Sequence, residues 1–206
     1  MSGVPPGRAG RNWLRRRLAT AERGREQLDR KLRVLFPEQR RLSLLLARHR
    51  AEWTSACAAA DTWLLRAALL GGQDAIRGAS TVRPIGVEVQ WTTAMGLSYP
   101  EDARLTDPPE DTLPLIGNAA ITPAAAAYRR ALAAGVRTAA VEEAVRRVDA
   151  EIALTRRRLR ALDIRWLPRL HEALSGLELS LEQTEQEDVM RLRRAAAALP
   201  LRRSSP

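Results

Sequence analysis

Apolar residues recur along this chain with two long helical rhythms. Stepping from Leu14 by alternating four and three gives Leu18, Ala21, Arg25, Leu28, Leu32, Leu35, Gln39, Leu42, Leu46, His49, Trp53, Ala56, Ala60, Trp63, Ala67 and Leu70; 14 of these 17 positions are apolar. Arg, Glu and Gln fill the intervening positions. A 3.5-residue repeat sustained this far predicts the seam of a left-handed coiled coil. Pro37 lies inside the run, where it removes a backbone donor and crowds the preceding turn. A kink is expected there, with a full break as the lesser alternative. A second seam begins after Thr122-Pro123, which reads as an N-cap with proline at the first helical position. It runs Ala124, Ala127, Ala131, Ala134, Thr138, Val141, Val145, Val148, Ile152, Thr155, Leu159, Leu162, Trp166, and 11 of the 13 are apolar. Past Trp166 the phase slips by consecutive four-residue steps to Leu170 and Leu174, then resumes at Leu177 and Leu181. That is a stutter, and Pro168 sits within it.

Neither stripe can be buried by its own helix, so the two are expected to lie against each other as an antiparallel pair. The predicted organisation is an N-terminal helix over residues 1–70, a middle insert over 71–122, a C-terminal helix over 123–199 and a polar tail over 200–206. Gly71-Gly72 closes the first helix. Within the insert, residues 85–91 alternate with the period of a half-buried strand. A turn near 92–96 returns the chain through residues 97–99 as a hairpin carrying Val87, Val89, Met95 and Gly96. The acidic, proline-rich stretch 100–114 reads as a surface loop. The fold class is therefore all-α dominated, a long antiparallel two-helix coiled coil with a small hairpin-containing insert.

Charge sharpens the picture. The net charge of +10 is already present in residues 1–50, which hold 14 basic and 4 acidic side chains, while residues 71–122 carry a local −4. Such polarity suits an acidic partner, nucleic acid or an anionic surface. Cys57 is the only cysteine, which excludes an internal disulfide and fits a reducing compartment. No apolar run reaches the roughly 18–20 residues of a membrane span, so a soluble, cytoplasmic protein is expected, meeting a membrane only through partners.

The chemistry motifs are sparse. There is no G-x-x-x-x-G-K-[ST] phosphate loop, and the only lysine, Lys31, sits within a helix. His49 falls on the seam and His171 on the other helix, without ligand spacing to cysteine or carboxylate. Cys57 among alanines reads as an inert thiol. Catalysis, cofactors and metals are not expected. Trp53, Trp63 and Trp166 are placed as seam anchors; only Trp13, beside Arg11 and Arg15-Arg16-Arg17, fits an exposed stacking role.

Three stretches together resemble the D subunit of the V-type (A/V-type) rotary ATPase, the central-stalk rotor shaft. The opening Pro6, Arg8, Leu14, Arg17-Leu18, Ala21, Gly24, Leu28, Lys31 and Leu35 is similar to the family's N-terminal helix. The middle, with Met95-Gly96 and then Pro100, resembles its strand and MG-x-x-x-P turn. The close, Arg157-Arg158-Leu159-Arg160-Ala161-Leu162-Asp163, Pro168-Arg169-Leu170, Leu181-Glu182 through Glu187 and Arg191-Leu192-Arg193-Arg194, is similar to its RR-x-NALE, IP-x-L and RLK signatures. Arg160 stands where the family has Asn, and arginine replaces nearly every family lysine.

The resemblance implies a non-catalytic shaft that couples ATP hydrolysis or synthesis to ion transport by transmitting torque. Its implied partners are the catalytic A and non-catalytic B subunits of the hexamer, the F subunit of the stalk and the C subunit above the membrane ring. No direct nucleotide and no nucleic acid are implied, and the implied location is peripheral, on the cytoplasmic side of the plasma membrane. Arg8, Arg11, Arg15, Arg16, Arg17, Arg191, Arg193 and Arg194 are the expected partner contacts. The alternative reading is a basic coiled-coil nucleic-acid-binding or scaffold protein.

Overall fold

In a computed structural model of the chain, the structure describes residues 3–79, 84–106 and 118–198. The element order is α1 (Gly7–Ala79), β1 (Gly86–Ala94), β2 (Leu97–Thr106), α2 (Ile121–Ala161), a five-residue π turn (Leu162–Trp166) and α3 (Leu167–Ala198). The chain divides into two compact units, an end unit of residues 1–30 and 155–206 and a middle unit of residues 31–154.

In the middle unit the two long helices pair antiparallel, as the order of their cross-contacts shows. Lys31 meets Glu151 at 2.8 Å, Gln39 donates to Asp149, and Arg50 meets Glu142 at 2.7 Å. Farther along, Thr138 donates to the His49 carbonyl and Tyr128 to Asp61. Leu32, Leu35, Leu42, Val148 and Ile152 of the expected seam are buried, while Leu46 and Val145 are half-buried. Where the seam turns to alanine, Ala60, Ala127 and Ala131 form a buried cluster flanked by Ala56, Cys57 and Trp63. Small side chains make up this stretch of the contact between the helices. Trp63 packs at the cluster's edge, but Trp53 does not anchor the seam: it is 43% exposed and lies over Gly135, where an added Cβ would stand 3.1 Å from its Nε1.

Pro37 does not break α1; the only non-helical backbone inside the helix is at Gly72 (φ 66°, ψ −177°). The left-handed φ of Gly72 stops the first run, as glycine does at helix ends, yet a further helical stretch continues to Ala79. Asn118, not Thr122, initiates α2. Its Oδ1 accepts from the Ala120 N–H at 3.0 Å while its Nδ2 donates to the Ala67 carbonyl at 2.9 Å. Pro123 thus falls inside the first turn, where a missing N–H costs nothing.

The strands pair antiparallel around a two-residue turn, Met95-Gly96, both with positive φ (50° and 77°). That is the backbone a tight hairpin with right-handed strand twist demands. The return strand is longer than expected: residues 100–106 of the expected loop are paired, and a bulge opposite Gln90/Trp91 skips Glu101. Proline is tolerated because each strand of a two-stranded sheet has a free edge. Residues 107–114 of that stretch, and the 200–206 tail, lie outside the described residues. β1 is exposed on both faces rather than half-buried, with Val87 at 51% and Val89 at 38%.

The hairpin is fixed to the middle unit by β2. Tyr99 is buried and its hydroxyl donates to Glu38 at 2.8 Å, Arg147 donates to the Ser98 carbonyl, and the Arg147 guanidinium lies 4.9 Å from the Trp91 ring. The Arg41 hydrogen bonds, then that of Tyr99, hold the Glu38 carboxyl below its ordinary range, whereas burial and then Glu38 push the Tyr99 phenol up. A depressed carboxyl contributes stability above its unfolded value, about 4.3, and that contribution is lost as pH falls through the folded value. Folding stability, followed by urea unfolding, is therefore expected to fall on acidification below about pH 4, chiefly through the Arg41 pair, and Arg41→Gln should shrink that acid limb. Tyr99→Phe should cost about 1–2 kcal/mol at neutral pH; an unchanged unfolding midpoint would count against the anchor.

In the end unit α1 and α3 are again antiparallel. Arg8 meets Glu185 at 2.8 Å, Arg15 meets Glu178 at 2.6 Å and Arg25 meets Asp163 at 2.6 Å. Leu14, Ala21 and Leu170 form the core, with Leu18, Leu167, Leu174 and Leu177 packed against it. The stutter is absorbed by the π turn, in which the Leu167 N–H bonds the Leu162 carbonyl five residues back. One extra residue in the turn makes Leu167, not Trp166, the next inward position. Trp166 is rotated out to the flank and is 42% exposed, which corrects its assignment to the seam.

Candidate partner-contact surface

The arginines expected to meet partners divide into distinct environments. Arg8 and Arg15 are already paired with acids of α3, and Arg191 lies 3.5 Å from Glu187 and 3.6 Å from Asp188. Arg193 and Arg194 are exposed near the end of α3. Arg11 is half-buried, and its Nε finds no acceptor among the described residues. Arg16 is exposed, and no carboxylate among the described residues pairs with it.

Arg17 has a different setting. Its guanidinium carbon lies 5.0 Å from the Trp13 ring and 5.2 Å from the Trp166 ring. Trp13 and Arg17 share one face of α1 by their four-residue spacing, while Trp166 arrives from the π turn. Sequence reasoning placed Trp13 among arginines but missed Trp166 as its companion, because the phase error at the π turn hid it.

The acidic side also went unrecognised in the sequence. Glu178, Glu185 and Asp163 neutralise three arginines of the N-terminal run from the other end of the chain. The hydrogen bond and charge of Asp163 hold the Arg25 guanidinium more firmly protonated than usual. These pairs are solvent-exposed, so each adds little to stability; together they fix which arginines remain uncompensated. Cys57 is half-buried beside the alanine cluster, and His49 Nδ1 faces Glu52 at 3.4 Å. Among the described residues, no group of His, Cys, Asp and Glu side chains is arranged to hold a metal ion, and no helix is long and apolar enough to cross a membrane.

Paired helical arms, a hairpin docked on their flank and an arginine-rich surface define an antiparallel helical-pair protein whose chemistry is carried on its exterior. The chain belongs to the ATP synthase D subunit family, whose model matches residues 12–197. It is similar to the V-type ATP synthase D subunit of Thermus thermophilus, with 30% identity over 205 residues, covering 98% of this chain and 92% of the relative. It is also similar to the A-type ATP synthase D subunit of Halorubrum lacusprofundi (29% over 200 residues, 94% and 88% covered). The V-type ATP synthase D subunit of an Anaeromyxobacter species is 30% identical over 212 residues, with 100% and 98% covered. The chain is accordingly a central-stalk subunit of a rotary ATPase, part of a multi-subunit complex, and the nucleic-acid or scaffold alternative receives no support.

Proposed function

We propose that this subunit is the rotor shaft itself, transmitting torque between ATP chemistry in a hexamer of catalytic A and non-catalytic B subunits and ion transport in the membrane. It takes no part in catalysis and binds no nucleotide directly. The F subunit of the stalk binds its side, and the C subunit connects it to the membrane ring, so its membrane association runs through partners on the cytoplasmic side of the plasma membrane. The observation that carries the reading is the construction of the helical arms. In each unit, antiparallel helices hold one another by a buried seam and by cross-helix pairs such as Lys31–Glu151 and Arg15–Glu178. A twist applied to one arm must therefore carry the other with it. Within the end unit, Arg16, Arg17, Arg193 and Arg194 supply positive charge that acidic groups of a surrounding collar can meet.

A bead fixed to an exposed position on the chain, in a complex immobilised through its A subunits, is expected to rotate when ATP is supplied. A covalent cross-link between the chain and one A subunit should then stop hydrolysis, with recovery on cleavage. Undiminished turnover with the link in place would overturn the shaft assignment.

A further inference from the structure

The end unit holds a cavity of about 310 Å³ whose walls include Val4, Trp13, Arg17, Trp166, Arg169 and Leu170. Its rim is built by a specific backbone device. The N-terminal segment turns back over α1, and the Pro5 carbonyl oxygen occupies the space a Cβ on residue 10 would need. Only glycine at position 10 admits this approach, and it lets Val4 pack on the Leu14 and Leu170 core.

The Arg17 guanidinium lies over the Trp13 and Trp166 rings, and such contact can be combined with N–H donation to an acceptor in the guanidinium plane. The planar fork of an arginine matches the two oxygens of a carboxylate. Arg169 supplies a second cation on the same wall. No carboxylate lines the cavity among the described residues, whereas Arg8, Arg15 and Arg25 of the same unit each have one. Two cations without a carboxylate on the cavity wall thus stand beside the apolar surfaces of Trp13, Trp166, Val4 and Leu170. Apolar walls suit the methylene stem of an acidic side chain better than a strongly hydrated phosphate.

We infer that this cavity is the receptor for one Asp or Glu side chain presented by a loop of the A–B collar, an inference that rests on the shaft reading above. Arg17 makes the bidentate contact, Trp13 and Trp166 hold it in place, and Arg169 adds a second cation that strengthens the attraction for the carboxylate.

The test titrates the full-length chain against the assembled A and B subunits. Arg17→Glu and Arg169→Glu should each raise Kd by about tenfold or more. Arg17→Lys should fall between, because lysine keeps the charge but loses the stack and the fork. Arg158→Glu, an exposed arginine of the same unit outside the cavity, should stay within about twofold. Equal losses from Arg158→Glu and Arg17→Glu would overturn the cavity and leave general charge attraction standing. Normal binding by both cavity variants would overturn the inference while leaving the shaft reading intact. Failure of the unaltered chain to bind the A–B assembly would overturn the shaft reading itself. A duplex DNA fragment bound with the same sensitivity to Arg17→Glu would overturn the assignment to a protein carboxylate.

Discussion

Truncating Leu35 to alanine is expected to destabilise the free chain by about 2–5 kcal/mol, and Leu42→Ala by a similar amount. Both side chains lie in the seam of the middle unit, with Leu35 at 0% and Leu42 at 2% exposure. Removing a buried isobutyl group loses its transfer free energy and leaves a void that two stiff helices cannot easily close. Leu44, on the same helix but 70% exposed, provides the internal control. Leu44→Ala keeps the helix propensity high and touches no core, so its cost should stay within about 0.5 kcal/mol. Urea unfolding of the three variants reads the difference directly as a shift in midpoint. Equal shifts for Leu35 and Leu44 would mean that the apolar stripe is not what holds the helices together.

How far this architecture can be read from the residues differs between its parts. The long seams were legible because one period repeats for many turns, and a single Arg25 or Gln39 does not erase it. Gly72 and Met95-Gly96 were legible as punctuation, since helix ends and tight hairpins leave few residue choices. The departures share one cause: a local backbone event moves every side chain beyond it. The π turn at Leu162–Trp166 adds a residue, so a strict four-three count assigns Trp166 inward when Leu167 takes that place. At Trp53 the count was right, but the indole lies over Gly135 and remains 43% exposed. The bulge at Glu101 keeps β2 paired through an acidic stretch whose composition suggests a loop.

The arginine surface was legible as charge but not as geometry. Nothing in the order of residues shows that Glu178 and Glu185 face Arg15 and Arg8, because the pairing depends on how the antiparallel arms are registered. That register sorts the arginines into neutralised and available ones. It also gathers Arg17 with two tryptophans that are more than 150 residues apart along the chain.

Deleting Ile164 should have a large effect that depends on a neighbour. Ile164 is strongly exposed and lies inside the π turn, so its removal takes away no core contact. The deletion leaves an ordinary α-helical turn, and the downstream seam positions Leu167, Leu170 and Leu174 keep their facing. It also removes the wide turn that precedes Pro168. In a regular helix the proline ring is driven against the carbonyl four residues back, a cost of about 3 kcal/mol. The wide turn displaces that carbonyl, and wide turns next to proline are a known source of helix kinks. The deletion alone is therefore expected to lower stability by up to about 3 kcal/mol. Pro168→Ala alone should change little, because the extra residue still requires the wide turn to keep the seam in phase. Combined, the two changes should restore stability to near that of the unaltered chain, giving a coupling free energy of about 2–3 kcal/mol in a double-mutant cycle. Thermal unfolding of the four proteins measures it. Simple additivity would show that the π turn answers the seam alone and owes nothing to the proline.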